Sequence, residues 1–166
     1  MSVSIIVASQ GQNLELANKL KIKIEEAGKQ AELIDLVDLE LPLYSGKEEA
    51  KGIPEVAKTL FEKMKSSKGL VFVAPEYNGS LPPTLNNAIA WVSRADEDFR
   101  QAFNNKPVLL ASHSGSGGIN LFNTMRTQFS YLGSNVLGRS IRATYQQPAN
   151  DEDIVANVSN LVDLIN

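Results

Sequence analysis

The chain alternates between short unbroken apolar runs and longer segments whose apolar residues return every three or four positions. Ile5-Ile6-Val7-Ala8 is a run of the first kind, as expected of a central parallel strand covered on both faces. It stops at Ser9-Gln10-Gly11-Gln12-Asn13. Beyond it Leu16, Leu20, Ile24 and Ala27 recur at helical spacing, with Asn13 as the expected N-cap and Gly28 as the stop. Residues 31–36 read as a second strand, followed by an irregular stretch through Leu41-Pro42-Leu43-Tyr44-Ser45-Gly46. Pro54 sits where a helix can begin, and Val56, Leu60, Phe61 and Met64 form its apolar stripe. Leu70-Val71-Phe72-Val73-Ala74 is the strongest buried strand, and after a turn at residues 75–83 a third helix is marked by Leu85, Ala88, Ile89 and Val92.

Residues 93–105 are polar apart from Phe99 and Phe103, which are expected to supply apolar contact surface between subunits. Residues 107–112 read as a fourth strand, and a glycine-rich turn leads into a helix carried by Phe122, Met125, Phe129 and Leu132. Residues 135–142 give a weaker fifth strand. Ile154, Val158, Leu161 and Ile165 mark the last helix after Asn150-Asp151-Glu152. Five βα units in this order predict an α/β fold: a doubly wound five-stranded parallel sheet of order 2-1-3-4-5, in three α/β/α layers. Such sheets bind ligands outside the carboxyl ends of their strands.

With 166 residues and no internal repeat, the chain is expected to form a single domain over residues 1–166. Apolar residues at 43% and charged residues at 21% are globular usage. The 16 Lys plus Arg against 19 Asp plus Glu give a net charge of −3, which argues against a nucleic-acid partner. There is no cysteine, so disulfides, thiolate metal sites and thiol redox chemistry are excluded, and any electron transfer requires a bound cofactor. The apolar run near the N-terminus has only strand length and follows no basic segment, so neither a signal peptide nor a membrane span is expected, and the protein is read as cytoplasmic.

Three strand-end loops carry the candidate chemistry. The first, Ser9, Gln10, Gly11, Gln12 and Asn13, places hydroxyl and amide groups and a glycine at a helix N-terminus. Outward backbone N–H groups and the helix dipole favour an anion there, and a phosphate is the natural occupant. Those residues alone suit a ligand-free capped turn equally well.

The second loop is Pro75-Glu76-Tyr77-Asn78-Gly79-Ser80-Leu81-Pro82-Pro83, continuing through Leu85, Asn87, Ala88, Ile89 and Trp91. It closely resembles the P-E-Y-N-x-S-x-P-x-x-L-x-N-A-I-x-W signature of the NADPH-dependent FMN reductase family, which includes azoreductases, quinone reductases and chromate reductases. The residue types suit a flavin: prolines hold exposed backbone polar groups, Tyr77 offers an aromatic flank, and Asn78 has both donor and acceptor atoms.

The third loop, Ser112-His113-Ser114-Gly115-Ser116-Gly117-Gly118, resembles the family's S-P-G-G-x-G-G run, with Arg126 at its arginine position. Its glycines suit a loop lying flat beneath a ring. His113 and Ser114 stand where the family has proline and glycine. His113, the only histidine, is read as a loop residue and not a catalytic one, since hydride transfer between nicotinamide and flavin is done by the cofactors themselves. Arg126 is expected to be a structural ion-pair or carbonyl partner. In the first loop the family's G-S-x-R-x-x-S-x-x-x-x-L-A is shortened by about three residues and its arginine is missing.

The resemblance implies a flavodoxin-like fold, FMN as cofactor and NAD(P)H as hydride donor. It also implies a quinone, azo compound, flavin or similar small-molecule acceptor, ping-pong kinetics, and a homodimer or homotetramer. The implied cofactor contacts are Ser9, Gln10, Gly11, Gln12 and Asn13; Pro75, Glu76, Tyr77, Asn78, Gly79 and Ser80; and His113, Ser114, Gly115, Gly117 and Gly118, with no metal and no catalytic side chain. The alternatives are a flavodoxin-type electron carrier and a degenerate member that binds a flavin or phosphate without catalysis.

Overall fold

The computed structural model describes residues 2–166. Its elements run β1 (Ser2–Val7), α1 (Gln12–Glu26), β2 (Gln30–Asp35), α2 (Gly46–Glu49), α3 (Glu55–Ser66), β3 (Gly69–Val73), α4 (Pro83–Val92), β4 (Pro107–His113), α5 (Ile119–Tyr131), β5 (Asn135–Val136), β6 (Ile141–Ala143) and α6 (Asp151–Leu164). All strand pairs are parallel, in the order β2-β1-β3-β4-β5, with β6 also pairing β4. This is the doubly wound order expected from the βα alternation.

The period-two alternation of side chains explains why the central strands read as unbroken apolar runs. Val3, Ile5, Val7, Val71, Val73, Leu109 and Ala111 pack with Leu16, Leu20 and Ile24 of α1 and Ile154, Val158 and Leu161 of α6. The intervening Ile6, Leu70, Phe72, Val108 and Leu110 pack with α3, α4 and α5 through Leu60, Met64, Leu85, Ile89, Met125 and Phe129. Phe72 stacks on Phe129 with ring centroids 4.1 Å apart.

Four expectations are corrected. The fifth strand is two pieces along β4: β5 beside Pro107 and Val108, and β6 beside residues 111–113. Between them Arg126 donates to the carbonyls of Leu137 (2.6 Å) and Gly138 (3.0 Å), a carbonyl-partner role that provides bonds where the ladder lapses. The N-cap of α1 is Gly11, not Asn13, which lies inside the helix. Phe103 is fully buried in the core and supplies no contact surface, whereas Phe99 is exposed. The irregular stretch after β2 contains α2, capped by Ser45, whose Oγ accepts from the Glu48 N–H.

At the amino end of β4, remote from the strand carboxyl ends, the half-buried Lys106 donates to the carbonyls of Lys65 (2.8 Å) and Ser67. Burial, with the nearby Lys68 charge a smaller cause, lowers its pKa below the ordinary lysine value. The unfolded chain therefore binds more protons in the window between the lowered value and about 10.4, and stability should rise with pH there. Urea midpoints measured from pH 8 to 10 should show this rise in the wild type and lose it in Lys106→Met. That variant also leaves the two carbonyls short of a donor, at about 1–3 kcal/mol.

Candidate functional site

The loops that follow β1, β3, β4 and β6 meet at the carboxyl end of the sheet. They enclose a cleft of about 400 Å³ lined by residues 9–13, Pro75, Glu76, Tyr77, His113, Ser114, Gly115 and Tyr145. Residues of all three loops singled out by sequence thus converge, although not every one of them reaches the cleft.

In the first loop Gly11 has φ 64°, a left-handed value that glycine adopts without a steric penalty. It lets the chain turn from β1 directly into α1 with no side-chain cap. The first helical bond is Glu15 N–H to the Gly11 carbonyl (3.0 Å), so the N–H groups of Gln12, Asn13 and Leu14 have no partner among the described residues. Ser9 is half-buried with its hydroxyl uncommitted. Gln10 is exposed and its amide donates to Asp38 (3.1 Å). Asn13 is 4% exposed, and its amide makes two bonds to one residue: Nδ2 donates to the His113 carbonyl (3.0 Å) and Oδ1 accepts from the His113 N–H (2.9 Å). It fastens the first loop to the third, which leaves one of the two Nδ2 hydrogens without a partner among the described residues.

The second loop is a hairpin turn. Tyr77 and Ser80 exchange N–H to carbonyl bonds at 3.1 and 3.0 Å, with Asn78 at φ 51° and Gly79 at φ 71°. Asn-Gly at two positive-φ positions is the pairing that a tight hairpin requires, so this part of the signature is explained by backbone geometry. Tyr77 is left 49% exposed. Glu76 turns the other way: its carboxylate accepts from Ser116 Oγ (2.8 Å) and from the Leu121 N–H (3.1 Å), capping α5 from outside that helix. Its own N–H donates to Ser114 Oγ (2.7 Å), which in turn pairs with the buried Ser112 Oγ (2.8 Å).

Of the third loop's three glycines only Gly115 faces open space. Gly117 and Gly118 are buried. A Cβ on Gly117 would lie 3.2 Å from Nε of Arg142, and one on Gly118 would lie 3.3 Å from Ser112 Oγ and 3.4 Å from the Phe122 ring. These two glycines keep the loop low by letting its neighbours close in beneath it.

Two features escaped the sequence reading. Tyr145, in the loop after β6, lines the cleft, and its ring stands edge-on to His113 at 4.7 Å; an exposed aromatic just past a strand end was its only signal. The signature residues Asn87 and Trp91 do not reach the cleft. Asn87 accepts from the Tyr44 N–H (2.7 Å) and donates to the Pro42 carbonyl (3.0 Å), to which Trp91 Nε1 also donates (2.7 Å). They pin residues 42–44 to α4. Glu49 completes that clamp, binding the Tyr44 hydroxyl and Arg94 at 2.7 Å each. The Tyr44 hydroxyl, then Arg94, holds the Glu49 carboxyl below the usual carboxylate range, and Glu49 pushes the Tyr44 hydroxyl up.

Comparison with known proteins gives this arrangement a family. The family model for NADPH-dependent FMN reductase matches residues 1–147. The chain belongs to that family. As an FMN reductase family member it is 32% identical to the NADPH azoreductase of Bacillus sp. (strain OY1-2), over 68% of this chain and 60% of that protein. It is 38% identical to the quinone reductase of Escherichia coli K12, over 45% of this chain and 39% of that protein. The chain therefore aligns with between about two fifths and three fifths of those two relatives. The fold matches that of FerB, a flavoenzyme NAD(P)H:(acceptor) oxidoreductase from Paracoccus denitrificans, with a TM-score of 0.81 at 20% identity over 99% of this chain and 96% of that one. Among the described residues no helix is long and apolar enough to cross a membrane.

The cleft fits the family's cofactor. It joins an uncapped helix N-terminus, suited to a phosphate, to a hairpin whose exposed Tyr77 suits the face or edge of a planar ring.

Proposed function

We propose that this protein is an NAD(P)H-dependent flavin oxidoreductase that uses FMN to reduce a small-molecule acceptor such as a quinone, an azo compound or a free flavin. The observation that carries the reading is the convergence of the family's hairpin signature and the uncapped N-terminus of α1 on one cleft. FMN, when bound, supplies the hydride chemistry, taking two electrons from the nicotinamide and passing them on.

The chain supplies binding and orientation. Ser9, Gln10, Gly11 and Gln12, with the N–H groups of α1's first turn, hold the phosphate. Residues 75–80 with Ser114 and Gly115 hold the ring, and Asn13, Gly117 and Gly118 act as supports behind them. No acid or base is needed for the hydride step. The protein works in the cytoplasm as one domain and as a homodimer or homotetramer.

Purified protein should bind FMN with a perturbed flavin absorbance spectrum and should oxidise NADH or NADPH with a quinone, giving parallel double-reciprocal lines. Bound flavin that neither nucleotide reduces would move the reading to an electron carrier, and no binding would move it to a degenerate member. Gly115→Phe places a ring in the open space over Gly115, at a backbone without positive φ. It should weaken FMN at least about tenfold, the equivalent of 1.4 kcal/mol, with an unchanged melting temperature. Wild-type FMN affinity in that variant would reject the ring's placement.

A further inference from the structure

We propose that His113 and Tyr145 are ligands of the FMN phosphate, taking over the task of the arginine that the first loop lacks; this rests on the flavin reading above. The family's arginine position is deleted, and no Lys or Arg is among the described residues that line the cleft. His113 replaces the family's proline on the opposite wall and is tied to the first turn of α1 through both bonds of Asn13. Its ring therefore rides on the same rigid unit as the unpartnered N–H groups of Gln12 and Leu14.

Neither ring nitrogen of His113 nor the hydroxyl of Tyr145 has a hydrogen-bond partner among the described residues, while the two rings pack edge to face at 4.7 Å. Tyr145 is 76% exposed, a large aromatic held at the cleft mouth by a turn in which the Thr144 N–H donates to the Gln147 carbonyl (2.8 Å). A histidine N–H and a phenol O–H are both donors suited to a phosphate oxygen. The acids nearby are committed elsewhere: Glu76 to the α5 N-terminus, Asp38 to Gln10 and Glu15 to Gln12. The cleft therefore combines backbone donors from α1 with two side-chain donors from the loops after β4 and β6.

The test titrates FMN and riboflavin against the wild type, His113→Leu and Tyr145→Phe, following flavin fluorescence on binding. The FMN dissociation constant should rise about tenfold in His113→Leu, near the lower limit for a lost bond to a charged group, and about threefold in Tyr145→Phe, less than a full bond of that kind because Tyr145 is 76% exposed. Riboflavin, without the phosphate, should bind all three proteins within about twofold of one another. An equal loss for both flavins would assign the pair to the ring and overturn the proposal, as would no loss for either. If the wild type binds neither flavin, the functional reading fails separately. Inorganic phosphate then decides the site: perturbation of the His113 and Tyr145 side-chain resonances upholds it, and unperturbed resonances overturn it.

Discussion

Replacing Glu76 by alanine should lower the melting temperature by about 4–8 °C and cost most of the FMN affinity. The carboxylate receives Ser116 Oγ and the Leu121 N–H, and so joins the hairpin to both the glycine loop and α5. Each such bond to a charged group contributes about 1.5–3 kcal/mol. Partial exposure of Glu76 brings the expected total to about 2 kcal/mol, and each 1 kcal/mol moves the melting temperature of a chain this size by about 2–4 °C. Losing the link frees residues 75–80 relative to 113–118, so ring affinity should fall with stability. Glu76→Gln keeps an acceptor for one of the two donors and should fall between the two proteins. Calorimetry with FMN titration checks both parts, and an alanine variant with wild-type melting and wild-type binding would remove Glu76 from any role.

Asn13→Ala should be more damaging to the fold than any exposed substitution in the first loop. Its amide closes a two-bond contact with the backbone of His113, one hundred residues away in sequence. Truncation leaves a part-buried N–H and carbonyl unpaired at about 1–3 kcal/mol each, so about 3 kcal/mol and a fall of roughly 6–12 °C are expected. Asn13→Asp can still accept from the His113 N–H but sets a carboxylate oxygen against its carbonyl, and it should be no better than alanine at neutral pH. Ser9→Ala, by contrast, removes a hydroxyl with no protein partner and should leave melting unchanged while weakening FMN. Thermal melts of the three variants decide whether Asn13 is a fastening residue or a ligand. A stable Asn13→Ala that loses only FMN would make it a ligand.

The fold was legible because its strongest signals are local. Residues 70–74 are apolar on both faces, which only a strand covered by helices on each side can satisfy, and the helical stripes between such runs leave few topologies. The interrupted fifth strand was less legible, since the carbonyls of Leu137 and Gly138 are taken by a guanidinium arriving from α5. The hairpin was readable as a motif, because Asn78-Gly79 encodes its own turn. The destinations of Asn87 and Trp91 were not, because their partners at residues 42–44 lie more than forty positions away.

Sequence by itself determined the period of each segment, the order of strands and helices, the family signature and the absence of a cation from the first loop. Each is a property of neighbouring residues, or of their spacing along one chain, and needs no knowledge of what packs against them. Tertiary structure alone decided which polar groups at the site remain open. Asn13 gained a fastening role only when folding brought His113 to it, and Gly117 proved to lie against Arg142. Tyr145 had no motif at all until the end of β6 carried it to the cleft. A hydrogen-bonding group has a limited number of partners, and long-range contacts use them first; what is left over is the binding site.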